Sequence, residues 1–179
     1  MSLLLNRNHF EVFGRVVHVY AVVETAVQIA LSGILRLPLH QTMILSAPYS
    51  SLQLKNVAKS SAKECLTPEH SQTFCNLVGQ WSAHSQLRNS IAHNRWTRGS
   101  RENSIRPVFI NVRAGKAKFG GYEDHERDWT IEEMAQSFEE LAKLNERIKK
   151  FLRDSGLEQT IASMLDDNIT TIDELPDED

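Results

Sequence analysis

Residues 9–36 read HFEVFGRVVHVYAVVETAVQIALSGILR, and their apolar spacing decides the fold. Phe10, Phe13, Val17, Tyr20, Val27 and Leu31 recur at intervals of three, four or seven. On a helix turning ~100° per residue that spacing gathers them on one face. The period predicts a long amphipathic helix, which Gly33 and Pro38 bring to an end. Arg15, Glu24 and Arg36 interrupt the apolar run, so no uncharged stretch approaches the ~18 residues that a membrane span requires. The apolar run within residues 1–7 is too short for a signal peptide. These features lead us to expect a soluble, cytoplasmic protein with no membrane partner.

Working outward, residues 38–48 predict a shorter helix, and Leu52, Leu54, Val57, Ala58 and Ala62 fit a third over 50–64. Thr67-Pro68-Glu69 is a helix start: a capping hydroxyl, a proline at the first helical position and an acid at the positive end of the dipole. The helix it opens is expected to run from 68 to about 95, with Phe74, Leu77, Val78, Trp81 and Ile91 inward. Val108-Phe109-Ile110-Asn111-Val112 then predicts a strand. Ala114-Gly115 can turn it back onto Lys116–Phe119 as a small hairpin. Thr130 with Glu133 spells a capping box, and Trp129 with Met134 is spaced as a hydrophobic staple. That helix should run to about 154 and stop at Gly156, with a last short helix over 157–165. The expected fold class is all-α, an up-and-down bundle of four to five main helices with an inserted β-hairpin. Residues 1–165 are read as a single helical domain and 166–179 as an acidic, disordered tail.

The chain of 179 residues suffices for one hydrophobic core. Residues 166–179 hold seven acids and no Lys or Arg, and removing them turns a formal charge of −3 into +4. From Arg88 to Lys118, eight basic residues face Glu102 alone, and such an excess attracts anionic partners, nucleic acid among them. Cys65 and Cys75 form no CxxC pair and read as free thiols. The seven histidines include no HExxH and no Cys/His cluster, so neither a metal site nor a cofactor is expected.

Chemistry concentrates in Arg88-Asn89-Ser90-Ile91-Ala92-His93. Asn89 and His93 are four apart and share a helix face. Imidazole moves protons near neutral pH, guanidinium grips phosphate oxygens with two prongs, and a carboxamide orients either, so the set suits a phosphodiester. In a regular fourth helix Arg88 falls within the apolar stripe, and Glu24 takes the slot after Phe13, Val17 and Tyr20 in the first. A buried charge needs a partner, water or a ligand: either Glu24 faces Arg88 and supports its orientation, or both charges reach solvent by snorkelling. Arg95, Arg98 and Arg101 are candidate contacts to a nucleic-acid backbone, beside the alternative of a solvated basic face. Trp96 is read as core in preference to a base-stacking platform.

Arg88, the polar Asn89 and, after four intervening residues, His93 resemble the signature of the HEPN superfamily. The resemblance covers the fourth helix closely and the bundle loosely. It implies a compact helical bundle and a metal-independent endoribonuclease, often a toxin or defence effector. It further implies a homodimer whose two motifs meet in one cleft, RNA as substrate, and an antitoxin or other regulatory protein as partner. His93 would be the general base or acid, Arg88 the stabiliser of the phosphorane, and Asn89 the holder of phosphate or imidazole. Some toxin members carry a tyrosine two residues after the histidine. Here that position is Arg95, so regulation through that tyrosine does not carry over. Two other readings stand beside the enzyme: a noncatalytic dimerisation module, and an RNA binder without chemistry.

Overall fold

The computed structural model describes residues 5–113, 116–120 and 128–170, giving backbone alone for 109–113, 116–120 and 165–170. It is an all-α bundle with a small inserted antiparallel sheet, the expected class. In order come α1 (Arg7–Leu35), α2 (Leu39–Ser46), α3 (Ser51–Cys65), α4 (Pro68–Ala83) and α5 (Ser85–His93). Then follow β1 (Arg95–Arg98), β2 (Ser104–Arg113), β3 (Lys116–Gly120), β4 (Trp129–Thr130), α6 (Ile131–Asp154) and α7 (Leu157–Thr170). Contacts divide the chain into two compact units, Met1–Ala21 with His84–Ala142, and Val22–Ala83 with Lys143–Asp179. The expected start of the acidic tail, residue 166, falls inside α7, and the tail from 171 lies outside the described residues.

In the first unit, Val12, Phe13 and Val16 of α1 form a buried cluster with Leu87 of α5, Ile105 of β2 and Met134 of α6. The sheet beside it is larger than a hairpin. β2 pairs antiparallel with β3, Val112 opposite Ala117, as the sequence led us to expect. It also pairs with β1, Trp96 opposite Pro107, and with β4, Ile105 opposite Trp129. The tight turn expected at Ala114-Gly115 lies outside the described residues. The capping box of α6 is present in both directions: Glu133 N donates to Thr130 Oγ1 at 3.2 Å, and Thr130 N donates to Glu133 Oε2 at 2.8 Å. Met134 is buried in the core cluster and Trp129 packs against that cluster, at the positions of the expected staple.

One buried carboxylate ties the sheet to that helix start. Asp128 Oδ1 accepts from Arg106 Nε at 2.6 Å, with the two side chains 0% and 5% exposed. Asp128 Oδ2 accepts from Ser100 N at 2.6 Å, Ser100 Oγ at 2.7 Å and Arg101 N at 3.2 Å. The β1–β2 loop is shaped to reach it. Asn103 adopts a φ of 53°, a left-handed conformation that asparagine tolerates. At Gly99 a Cβ would collide with Ser104 Oγ and Asp128 Oδ2. Burial alone would raise the Asp128 pKa, but the Arg106 guanidinium, the two Ser100 donors and the Arg101 N–H hold it far below the usual carboxylate range.

The second unit packs α3 and α4 side by side. Leu54, Ala58 and Ala62 are buried on one, and Phe74, Leu77, Val78 and Trp81 on the other. Phe74 stacks on Phe151 of α6 at 5.3 Å between centroids. The start of α4 is as expected, with His70 N donating to Thr67 Oγ1 at 3.4 Å. Gly33 does not terminate α1. It lies within the helix, where a Cβ would stand 3.2 Å from the Ile161 side chain of α7, a tight fit that glycine relieves. The turn falls to Arg36, at φ 53°, with Leu37 N donating to Ser32 O at 3.1 Å and Arg36 N to Gly33 O at 3.3 Å. That is a Schellman closure with arginine where glycine is usual. By length and composition α1 could cross a membrane, but 56% of its most apolar window is buried in the fold, as in a core helix.

Two outcomes follow for stability. Asp128→Asn should cost about 3–5 kcal/mol in urea unfolding, because it leaves a buried guanidinium without its counterion. Since the folded pKa lies below the unfolded one, that stabilisation is whole above about pH 4 and drains away as pH falls. The wild-type and Asp128→Asn curves should therefore converge in acid, and a gap that stayed constant with pH would refute the assignment. Arg36→Gly should instead stabilise the protein by about 1 kcal/mol by relieving the left-handed arginine, measured as a raised Tm.

Candidate functional site

The helix expected over 68–95 is two helices. His84, at φ −85° and ψ −3°, closes α4 and opens α5, whose first bond runs from Arg88 N to His84 O at 3.2 Å. No Pro or Gly marks the break. The His84 ring sits 3.6 Å from Glu140, and burial lowers its pKa against the pull of that carboxylate. α5 therefore has its own phase. It buries Leu87 and Ser90 and half-buries Ile91, and Asn94 turns the chain out at φ −107° and ψ 154° into β1. Residue 95, expected in the helix, is the first of that strand.

The break redefines the setting of Arg88, which cannot be phased from Phe74, Leu77, Val78 and Trp81. It is half-buried on α5, with its Cζ 5.5 Å from the centre of the Tyr20 ring on α1, within cation–π range. Its Nη1 donates to Asn89 Oδ1 at 2.9 Å. With the amide oxygen so used, Asn89 keeps its NH2 donors, and both Asn89 and His93 are exposed. Glu24, expected to support Arg88, is half-buried on the stretch of α1 that belongs to the second unit. Tyr20 was legible only as a core residue. A tyrosine in a valine stripe was the one available hint that an aromatic face would be presented inward.

The basic excess divides into two kinds of residue. Arg95 and Arg98, at the ends of β1, are exposed. Arg101 is not available in the same way: its Nη1 and Nη2 grip Glu133 at 2.8 and 2.7 Å, and Nη2 also donates to Asp128 O at 2.6 Å. The bond to Glu133 is the main cause raising the Arg101 pKa. We therefore withdraw the expected RNA contact at Arg101, because its guanidinium fixes the loop to the start of α6. Arg106, counted within the same excess, is buried on Asp128. Trp96 is core, as read, although it reaches the core from a strand, with its ring 5.0 Å from Phe13.

Arg88, Asn89 and His93 form an open surface on α5. A groove of about 230 Å³ in the same unit lies elsewhere, lined by Val12 and Arg15 of α1 and by Ile131, Ala135 and Phe138 of α6. Among the described residues no three His, Cys, Asp or Glu side chains are grouped to share a metal ion. No protein family, curated protein or solved structure matches the chain.

Proposed function

We propose that the first unit binds RNA and cleaves it without a metal, in the manner of the HEPN ribonucleases that the hexapeptide resembles. Two copies of the chain would bring their motifs to one composite site. The observation that carries this reading is the run of accessible polar groups from the end of α5 into β1. An arginine set on an aromatic ring and bonded to Asn89 comes first, then exposed His93, then exposed Arg95 and Arg98. Arg88 and Asn89 would hold the scissile phosphate, and β1 would follow the backbone of the strand. His93 takes the proton of a ribose 2′-OH as its oxygen attacks phosphorus. The same histidine of the second copy protonates the departing 5′-oxygen, leaving a 2′,3′-cyclic phosphate and a 5′-hydroxyl. A toxin or defence role, restrained by an antitoxin or other regulatory protein in the cytoplasm, belongs to the same reading.

One observation favours a second reading. The Arg88–Asn89 bond holds the two side chains to each other without a ligand, which suits a noncatalytic dimerisation module. His93→Ala separates the two. In the enzyme, cleavage of RNA in EDTA falls by about a hundredfold or more while Tm and dimer affinity hold. In the module there is no cleavage to lose and the dimer weakens. Cleavage that survives the substitution unchanged would assign the activity to another site. Arg95→Ala and Arg98→Ala should each lower the slope of log K against log salt for RNA binding by about 1, whereas a solvated face would leave it unmoved.

A further inference from the structure

α2 is turned inside out. Its buried positions are Thr42 and Ser46, at 2% and 4% exposure, while Ile44 and Leu45 stand 70% and 58% exposed. Ser46 Oγ accepts from Gln28 Nε2 at 2.9 Å, and Thr42 Oγ1 is buried with no hydrogen-bond partner among the described residues. A surface helix normally places its apolar stripe inward. Here Ser46 is bonded to Gln28 of α1, Thr42 is buried, and the apolar residues face outward. Leu52, 62% exposed in the first turn of α3, and Tyr49 in the intervening turn extend the patch across the α2–α3 corner.

The charge around this corner has one sign. From residue 25 to 63 there is no Asp or Glu, while Arg36, Lys55, Lys59 and Lys63 are present. The three lysines repeat every fourth residue along α3, and among the described residues none of the four cations has a carboxylate partner. An exposed apolar corner with Arg36 exposed beside it and a lysine row leading away along α3, Lys55 half-buried and Lys59 half-buried beside Gly79 of α4, matches a surface that is anionic outside and hydrocarbon within. A two-fold contact with a second copy would set these cations against their own images, a like-charge cost that a lipid surface does not impose.

We propose that the α2–α3 corner docks on an anionic lipid bilayer, with Ile44, Leu45 and Leu52 entering the headgroup boundary and Arg36, Lys55 and Lys59 meeting lipid phosphates. No spanning helix is needed for this, so the absence of an uncharged apolar run does not bear on it. The proposal concerns the second unit and is independent of the RNA reading.

Co-sedimentation of the full chain with phosphatidylcholine vesicles, with and without phosphatidylglycerol, tests it. The protein should pellet with the anionic vesicles alone and be released by high salt. Ile44→Ser/Leu45→Ser should weaken partition by about tenfold or more with Tm unchanged. Leu52→Ser gives the same readout from a different helix, and Lys55→Glu/Lys59→Glu should also lower binding. Failure to pellet, equal pelleting with neutral vesicles, or full binding by the serine variants would overturn the proposal. A lipid-free dimer that Ile44→Ser/Leu45→Ser dissolves would assign the corner to a second copy, and capture of an acidic peptide without vesicle binding would assign it to a protein partner.

Discussion

The Asp128 carboxylate, buried against Arg106, is the constraint on which the first unit depends. Ionised and out of water, it would cost several kcal/mol if left alone. Its donors come from β2 and from the β1–β2 loop, and it immediately precedes β4 and the first turn of α6. Satisfying one carboxylate therefore requires the strands, the loop and the helix start to assemble together. The requirement also dictates local sequence: glycine at 99, where a Cβ would collide with the carboxylate, and a residue tolerant of left-handed backbone at 103.

The same node decides which cations remain outside. Arg106 is consumed by Asp128, and Arg101 by Glu133 and the Asp128 carbonyl. A guanidinium gripping a carboxylate with two prongs is not exchanged cheaply, even though this pair is partly exposed and its worth is reduced by solvent. Arg95 and Arg98, at the two ends of β1, stay exposed. Charge counted along the sequence thus overstates the basic surface, because part of it is internal scaffolding.

Whatever is local was legible. The Thr67-Pro68 start, the Thr130–Glu133 box and the Trp129–Met134 staple are each written within a few residues and appear as read. What depends on distant partners was not. Asp128 lies 22 residues from Arg106 and closes a stretch (Glu123-Asp124-His125-Glu126-Arg127-Asp128) in which no spacing singles out one acid. The break at His84 carries no Pro or Gly, so periodicity ran through it and gave Arg88 the wrong phase. The inverted α2 escaped because a short helix has too few turns for its period to reveal which face is buried. At the site, the spacing of Asn89 and His93 was legible, while the ring beneath Arg88 was not.

The arrangement of Arg88 bears on how such a site would accept an anion. Its bond to Asn89 joins a cation to a neutral carbonyl oxygen, and a phosphate oxygen makes a stronger, charge-assisted bond to the same nitrogen. The Tyr20 ring, buried and fixed on α1, holds the guanidinium by its face and leaves the N–H edge free to change acceptor. The two contacts therefore have different exchangeability: the ring sets where the arginine stands, and the amide keeps its edge occupied until a better acceptor arrives. Releasing Asn89 at that moment returns a carbonyl to water and does not strand a buried charge, so ligand exchange at Arg88 avoids the penalty that makes the Arg106–Asp128 pair permanent. Arginines 18 residues apart are thus held differently, one locked onto a buried carboxylate and one bonded at its edge to a neutral amide.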